Sequence, residues 1–224
     1  MGSGKNRIGD SQLTIEFLGR YKPREIERLF MTHIDEQTSK VIVSSGHMID
    51  LPDRPTPRFP PSKENSVRQH LARQLDSWSI GSSDRAICGG ARGSDILFAE
   101  LCVERGARIR LLIALPEEEF LKQSVALPGS NWEERYLALR RHPQVETWFQ
   151  HECLGPPPPD LSPFARNNLW IIDTARAEVS AGNLYAVLVW DEQPTGDGPG
   201  GTSHFAEALR HLGGRLTIIN PTKL

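Results

Sequence analysis

Between residues 40 and 221 short β-branched runs alternate with stretches of helical period, and that alternation restricts the chain to one class of fold. VIVSSGHMI, RAICGGA, RIRLLIALP, LYAVLVW and RLTIIN read as strands, with VETWFQ as a further short one. NSVRQHLARQLDSW, the segment from Ser94 through Arg105, EEEFLKQSV, NWEERYLALRR and SPFARNNLWIIDTARAEVS read as helices. A last helix separates the final two strands, and HECLGPPPPDLSP reads as a loop that its prolines hold extended. RIRLLIALP has the near-continuous apolarity of a strand covered on both faces. Strands alternating with helices predict a mainly parallel α/β sheet with helices on both sides. In such sheets ligands bind beyond the carboxyl ends of the strands, where the strand order reverses. Function is therefore to be sought in the residues that follow each strand.

Three of those strand ends carry glycine. Ser44, Ser45, Gly46 and His47 follow the first strand, and Gly89, Gly90, Ala91, Arg92, Gly93, Ser94 and Asp95 follow the second. GDGPGGTS follows LYAVLVW and brings Gly196, Gly198, Gly200, Gly201, Thr202 and Ser203 to the start of the last helix. Glycine lets a backbone approach a phosphate closely, and a helix N-terminus presents unpaired N–H groups with a favourable dipole. Hydroxyls at Ser44, Ser45, Ser94, Thr202 and Ser203 add hydrogen bonds, so a phosphate-bearing ligand is expected. The spacing is neither GxGxxG nor GxxxxGK[ST]. No HExxH or spaced Cys/His set marks a metal site, and His151 with Cys153 makes at most a partial one. No GxSxG nucleophile elbow is present.

Several of these residues admit two readings. Arg92 is either a phosphate contact or a solvated loop charge, and Asp95 either a favourable first-turn acid or a partner for a ribose hydroxyl. His47 suits base or ribose contact as well as loop packing. Glu207 suits a surface position paired with Arg210 or His211. Trp170 reads as core, and Cys88 and Cys102 as small buried hydrophobes. Arg54 and Arg58 lie in a proline-rich loop and read as solvent-exposed, although Arg58 is within reach of a second phosphate.

Charge and composition narrow the partners. Lys and Arg number 26 against 28 acidic residues in 224, without a basic run interleaved with aromatics, which argues against nucleic acid. Three scattered cysteines suit a reducing compartment better than a disulfide framework. No apolar stretch approaches the ~18 residues of a membrane span, and the first residues are polar, so a soluble cytoplasmic protein is expected. Residues 1–39 read as an N-terminal extension and 40–224 as the sheet domain. Within the extension, Ile26, Leu29, Phe30 and Ile34 make a stripe at helical spacing that needs a partner surface.

SSGHMID, CGGARGSDILFAE, FARNNLW and GPGGTSHFAEAL, in that order, resemble the SLOG superfamily of Rossmann-like domains, which includes the LOG phosphoribohydrolases and DprA-like proteins. The resemblance covers residues 40 to 221 and implies a Rossmann-like fold with a nucleotide-derived ligand at the glycine loops, no cofactor, and self-association. It places Ser44, Ser45, Gly46, His47, Gly89, Gly90, Arg92, Gly93, Ser94, Asp95, Arg166, Asn167, Gly198, Gly200, Gly201, Thr202 and Ser203 at the ligand. In the hydrolases an arginine and a glutamate of matching motifs cleave an N-glycosidic bond, and these positions fall on Arg166 and Glu207. The chain departs from that pattern. Asn167 replaces a lysine, Ser203 a glycine, His204 a threonine, and Ala206 stands in place of a further glutamate. The sensor branch binds cyclic or ADP-ribose-like nucleotides in bacterial signalling and immunity and passes the signal to an effector. The resemblance thus implies a sensor or regulatory module, with nucleotide hydrolysis and a non-catalytic assembly scaffold as the alternatives.

Overall fold

A computed structural model describes residues 39–179, 181–193, 201–210 and 215–224. They form a six-stranded, wholly parallel sheet with helices on both faces. In chain order the elements are β1 (Val41–Gly46), α1 (Glu64–Ser77), β2 (Arg85–Cys88), α2 (Ser94–Glu104), β3 (Arg108–Ile113) and α3 (Glu117–Phe120). There follow α4 (Trp132–Arg141), β4 (Val145–Phe149), α5 (Gln150–Leu154), α6 (Pro163–Glu178), β5 (Leu184–Val189), α7 (Thr202–Arg210) and β6 (Arg215–Ile219).

The strand order is β4-β3-β2-β1-β5-β6. The chain first winds outward from β1 to β4, then returns to lay β5 on the other side of β1. The order therefore reverses between β1 and β5, which pair from Val41 with Leu184 to Gly46 with Val189. A crevice opens beyond their carboxyl ends because the connections leave in opposite directions there.

Side-chain alternation divides the core into two layers. Ile42 of β1 and Tyr185, Val187 and Val189 of β5 face α1 and α2, where Val67, Leu71, Ile96 and Leu97 meet them. Val41 and Val43, with Leu184, Ala186 and Leu188, face α6 and α7 and pack on Trp170, Ile171 and Phe205. Both faces of β1 and β5 are covered, which is why these strands are apolar without alternation. Trp170, Cys88 and Cys102 are fully buried.

Two segments differ from the sequence reading. Residues 150–154 form α5 where the last residue of a strand and the start of a loop are expected, because the Arg166 guanidinium donates to the Leu154 and Gly155 carbonyls at 2.7 and 2.8 Å. Gly155, at φ 69°, then turns the chain in the manner of a helix C-terminal glycine. The first strand stops at Gly46 rather than running to Ile49. Beyond it the Asp50 carboxylate accepts the N–H groups of Arg58 and Phe59, both at 2.8 Å, and closes residues 50–59 into a loop. The helical stripe of Ile26, Leu29, Phe30 and Ile34 lies outside the described residues.

Candidate functional site

The end of β1 is crowded by the start of α2. A Cβ on Gly46 would lie 2.6 Å from the Ser94 hydroxyl and 2.7 Å from the Val189 carbonyl oxygen. At Gly93, where φ is 89°, a Cβ would lie 2.6 Å from the Ile49 backbone nitrogen. These glycines bring the protein's own backbone together. Ser94 N–H donates to the His47 carbonyl at 3.3 Å across the same junction. Gly90, at φ 77°, turns its missing side chain toward Ile113 and Tyr136 in the core.

Beyond the junction, in the crevice between β1 and β5, lies a cavity of about 330 Å³. Of the residues singled out in the sequence, Ser44, Ser45, Gly46, His47, Gly89, Asp95, Asn167, Gly201, Thr202 and Ser203 line it. Gly90, Arg92, Gly93, Ser94, Arg166 and Glu207 do not. Gly198 and Gly200 lie outside the described residues. Arg166 is engaged with the end of α5, and Glu207 is exposed on α7. Helical geometry explains why Asn167 lines the cavity and Arg166 does not: neighbouring residues point about 100° apart. The Asn167 amide donates to the Leu112 carbonyl at 2.7 Å.

The cavity has an apolar wall, of which the quoted motifs contain only Phe164. Phe120 of α3, Phe164 and Ile171 of α6, and Trp190 after β5 form it. Asn168, one turn from Phe164, donates to the Gly201 carbonyl at 3.4 Å and ties α6 to the start of α7. The Ser44 hydroxyl is fully buried, lines the cavity and has no hydrogen-bond partner among the described residues.

Two carboxylates at this end of the sheet are tuned in opposite directions. Burial raises the pKa of Asp95 to about 7, although N–H groups of Ala91, Gly89 and Gly90 and the Ser94 hydroxyl oppose the shift. Asp191, directly beyond Trp190, is buried as well, and desolvation alone would raise its pKa. The Arg58 guanidinium, the Gln193 N–H and His47 outweigh that and hold it well below the usual carboxylate range. Arg58 donates from Nε to Oδ2 at 2.7 Å and from Nη2 to Oδ1 at 2.8 Å. His47 Nε2 lies 3.0 Å from Asp191 Oδ1 and 3.2 Å from the Asp191 backbone nitrogen. Protonated, that nitrogen donates to the carboxylate; unprotonated, it accepts the amide hydrogen. Arg58 is 7% exposed, which corrects the expectation of a solvated loop arginine. Its charge is neutralised by Asp191, and it lines the cavity from the loop side.

Among the described residues no group of three His, Cys, Asp or Glu side chains is placed to hold a metal ion. Nor is any helix among them long and apolar enough to cross a membrane. Taken together, the parallel sheet and its crevice define a Rossmann-like α/β domain with a cavity at the topological switch point. In comparison with known proteins the chain matches no family model and no curated protein.

Proposed function

We propose that the protein binds a nucleotide-derived ligand in the cavity between β1 and β5 and acts as a sensor or regulatory module. The observation that carries this reading is the Ser44 hydroxyl, buried without a partner in a cavity at the switch point. A buried polar group without a partner costs about 1–3 kcal/mol, and a ligand that hydrogen-bonds to it recovers that energy. The rest of the lining suits the parts of a nucleotide. Phe120, Phe164 and Trp190 offer an apolar wall for a base, and Asn167 and Asp95 polar groups for a sugar. Thr202 and Ser203 begin α7 directly after Gly201, where backbone N–H groups and the helix dipole favour a phosphate. A volume of about 330 Å³ falls within the usual span for small-molecule sites.

Binding is favoured over N-glycosidic hydrolysis because Arg166 and Glu207, the pair the resemblance assigns to that reaction, both lie off the cavity. The regulatory role, the pairing of subunits and an effector partner rest on the resemblance to the sensor branch. Native mass spectrometry of freshly purified protein, followed by calorimetric titration with nucleotides, tests the reading. A co-purifying nucleotide, or micromolar binding of one member of the panel, is expected. Absence of binding across mononucleotides, cyclic nucleotides and ADP-ribose would refute it.

A further inference from the structure

A second cavity, of about 680 Å³, lies on the far side of His47 and Arg58. The loop after β1 folds around it, and His47, Met48 and Arg58 line both cavities. With Asp191 counted, its charges cancel in number, but they are not all paired. Asp50 is paired with Arg54 at 3.4 Å, and Arg58 with Asp191, while Asp53 stands exposed on the rim. That leaves Arg92. It is 6% exposed, lines this cavity, and has no carboxylate within ion-pair distance among the described residues. Its Nε donates to the Ile49 carbonyl at 3.3 Å, and Nη1 to the Gln123 and Ala126 carbonyls at 3.5 Å each. Nη2 makes no hydrogen bond to the described residues.

Carbonyl contacts orient the guanidinium but do not neutralise it. A buried charge without a counter-charge is costly, and burial draws the pKa of Arg92 down accordingly. An oxyanion at Nη2 would supply the missing charge through a charge-assisted hydrogen bond. We infer that the second cavity is a subsite for a phosphoryl or pyrophosphoryl group held by Arg92, and that one ligand spans both cavities across His47 and Arg58. The spanning part rests on the proposed nucleotide reading; the oxyanion subsite stands on Arg92 alone. A ligand of this kind is a nucleotide extended through a pyrophosphate, longer than a mononucleotide.

The test is calorimetric titration of the wild-type chain, Arg92→Met and Ser44→Ala with inorganic pyrophosphate, AMP and ADP-ribose. Wild type is expected to bind ADP-ribose more tightly than AMP and to bind pyrophosphate measurably. Arg92→Met should weaken pyrophosphate and ADP-ribose about tenfold or more while changing AMP less than about twofold. Ser44→Ala should weaken AMP and leave pyrophosphate unchanged. Pyrophosphate affinity absent in wild type, or unaffected by Arg92→Met, overturns the subsite even if AMP binds. Pyrophosphate binding through Arg92 with no nucleotide bound leaves the subsite standing and removes the nucleotide reading. Should Arg92→Met fail to fold, wild-type crystals soaked in tungstate decide. An anomalous peak beside Arg92 supports the subsite, and its absence there rejects it.

Discussion

Arg58 and Asp191 meet in a two-bonded fork, at 2.7 and 2.8 Å, although 133 residues separate them in the chain. The pair joins the loop that follows β1 to the second residue beyond β5, so it fixes the distance across the crevice where the strand order reverses. It also forms a wall common to both cavities through Arg58.

Removing one partner should therefore cost more than an exposed ion pair does. Arg58→Met leaves the Asp191 carboxylate buried without its guanidinium, and a loss of about 3 kcal/mol is expected in urea denaturation at pH 7. The folded-state pKa of Asp191 is depressed, so its contribution is present above the unfolded value near 3.8 and is lost as pH falls below it. The gap between wild type and Arg58→Met should narrow below about pH 4. A gap that stays constant down to pH 3 would show that the charge pair is not its source.

Asp95 carries the opposite sign. Its folded pKa of about 7 exceeds the ordinary 3.8, so between these values the folded chain holds a proton that the unfolded chain has lost. Stability contributed through Asp95 is therefore highest below about pH 4 and declines as pH rises to about 7. Asp95→Asn keeps an acceptor for the surrounding N–H groups and removes the charge. It should be more stable than wild type at pH 8 by on the order of 2 kcal/mol, with little difference at pH 4. Equal stabilities at pH 8 would contradict a buried, desolvated carboxyl at this position.

The glycines separate by what surrounds them. Gly93→Ala combines φ 89° with a contact of 2.6 Å to the Ile49 backbone, which cannot move without reshaping the loop after β1. Gly129 also has positive φ, at 74°, but nothing lies within 4 Å of its missing Cβ. Gly129→Ala should cost about 1 kcal/mol, the ordinary penalty for a left-handed alanine, and Gly93→Ala distinctly more. Thermal unfolding of the two variants checks this, and comparable losses would argue against the close backbone approach.

Ser44→Ala tests the cavity with least disturbance. The hydroxyl has no partner to lose among the described residues, so stability should be unchanged or slightly higher. Affinity for a bound nucleotide should fall about tenfold, as expected for one lost hydrogen bond to a buried group. Unchanged affinity in a titration with AMP would mean that the hydroxyl does not meet the ligand.

The sheet was legible because β1 and β5 are apolar on both faces, β3 is nearly so apart from Arg108 and Arg110, and the helices between them carry a helical period. The strand-end rule also led to Ser44, Ser45 and Gly46, which prove to be the last residues of β1, and to His47 directly after it; all four line the cavity, because the carboxyl end of a parallel strand is placed by topology. Applied more widely it reaches Trp190, the residue directly after β5. Phe164, Asn168 and Ile171 share one face of α6 at helical spacing, a face from which Arg166 of the same motif points away. Gly90 and Gly93 could not be interpreted from sequence, since a glycine approached by a phosphate and one approached by its own backbone look alike. Nor could the burial of Arg58 be read, because its partner Asp191 lies on a distant strand end.

The last prediction separates binding from catalysis. Cleaving an N-glycosidic bond builds positive charge on the ribose, which a carboxylate near the anomeric carbon stabilises. Glu207 is exposed on α7 and does not line the cavity, so Glu207→Ala should change neither stability nor nucleotide affinity by more than about 0.5 kcal/mol. The Arg166 guanidinium holds the end of α5 through the Leu154 and Gly155 carbonyls. Arg166→Ala should therefore lower stability by about 1–3 kcal/mol, without a selective loss of ligand affinity in the fraction that remains folded. Nucleoside monophosphates incubated with the wild-type protein should release no free base above the uncatalysed level, measured by chromatography for adenine, guanine and cytosine. Turnover abolished by Glu207→Ala would move the chemistry to α7 and make the protein a hydrolase, whatever its affinity for nucleotides.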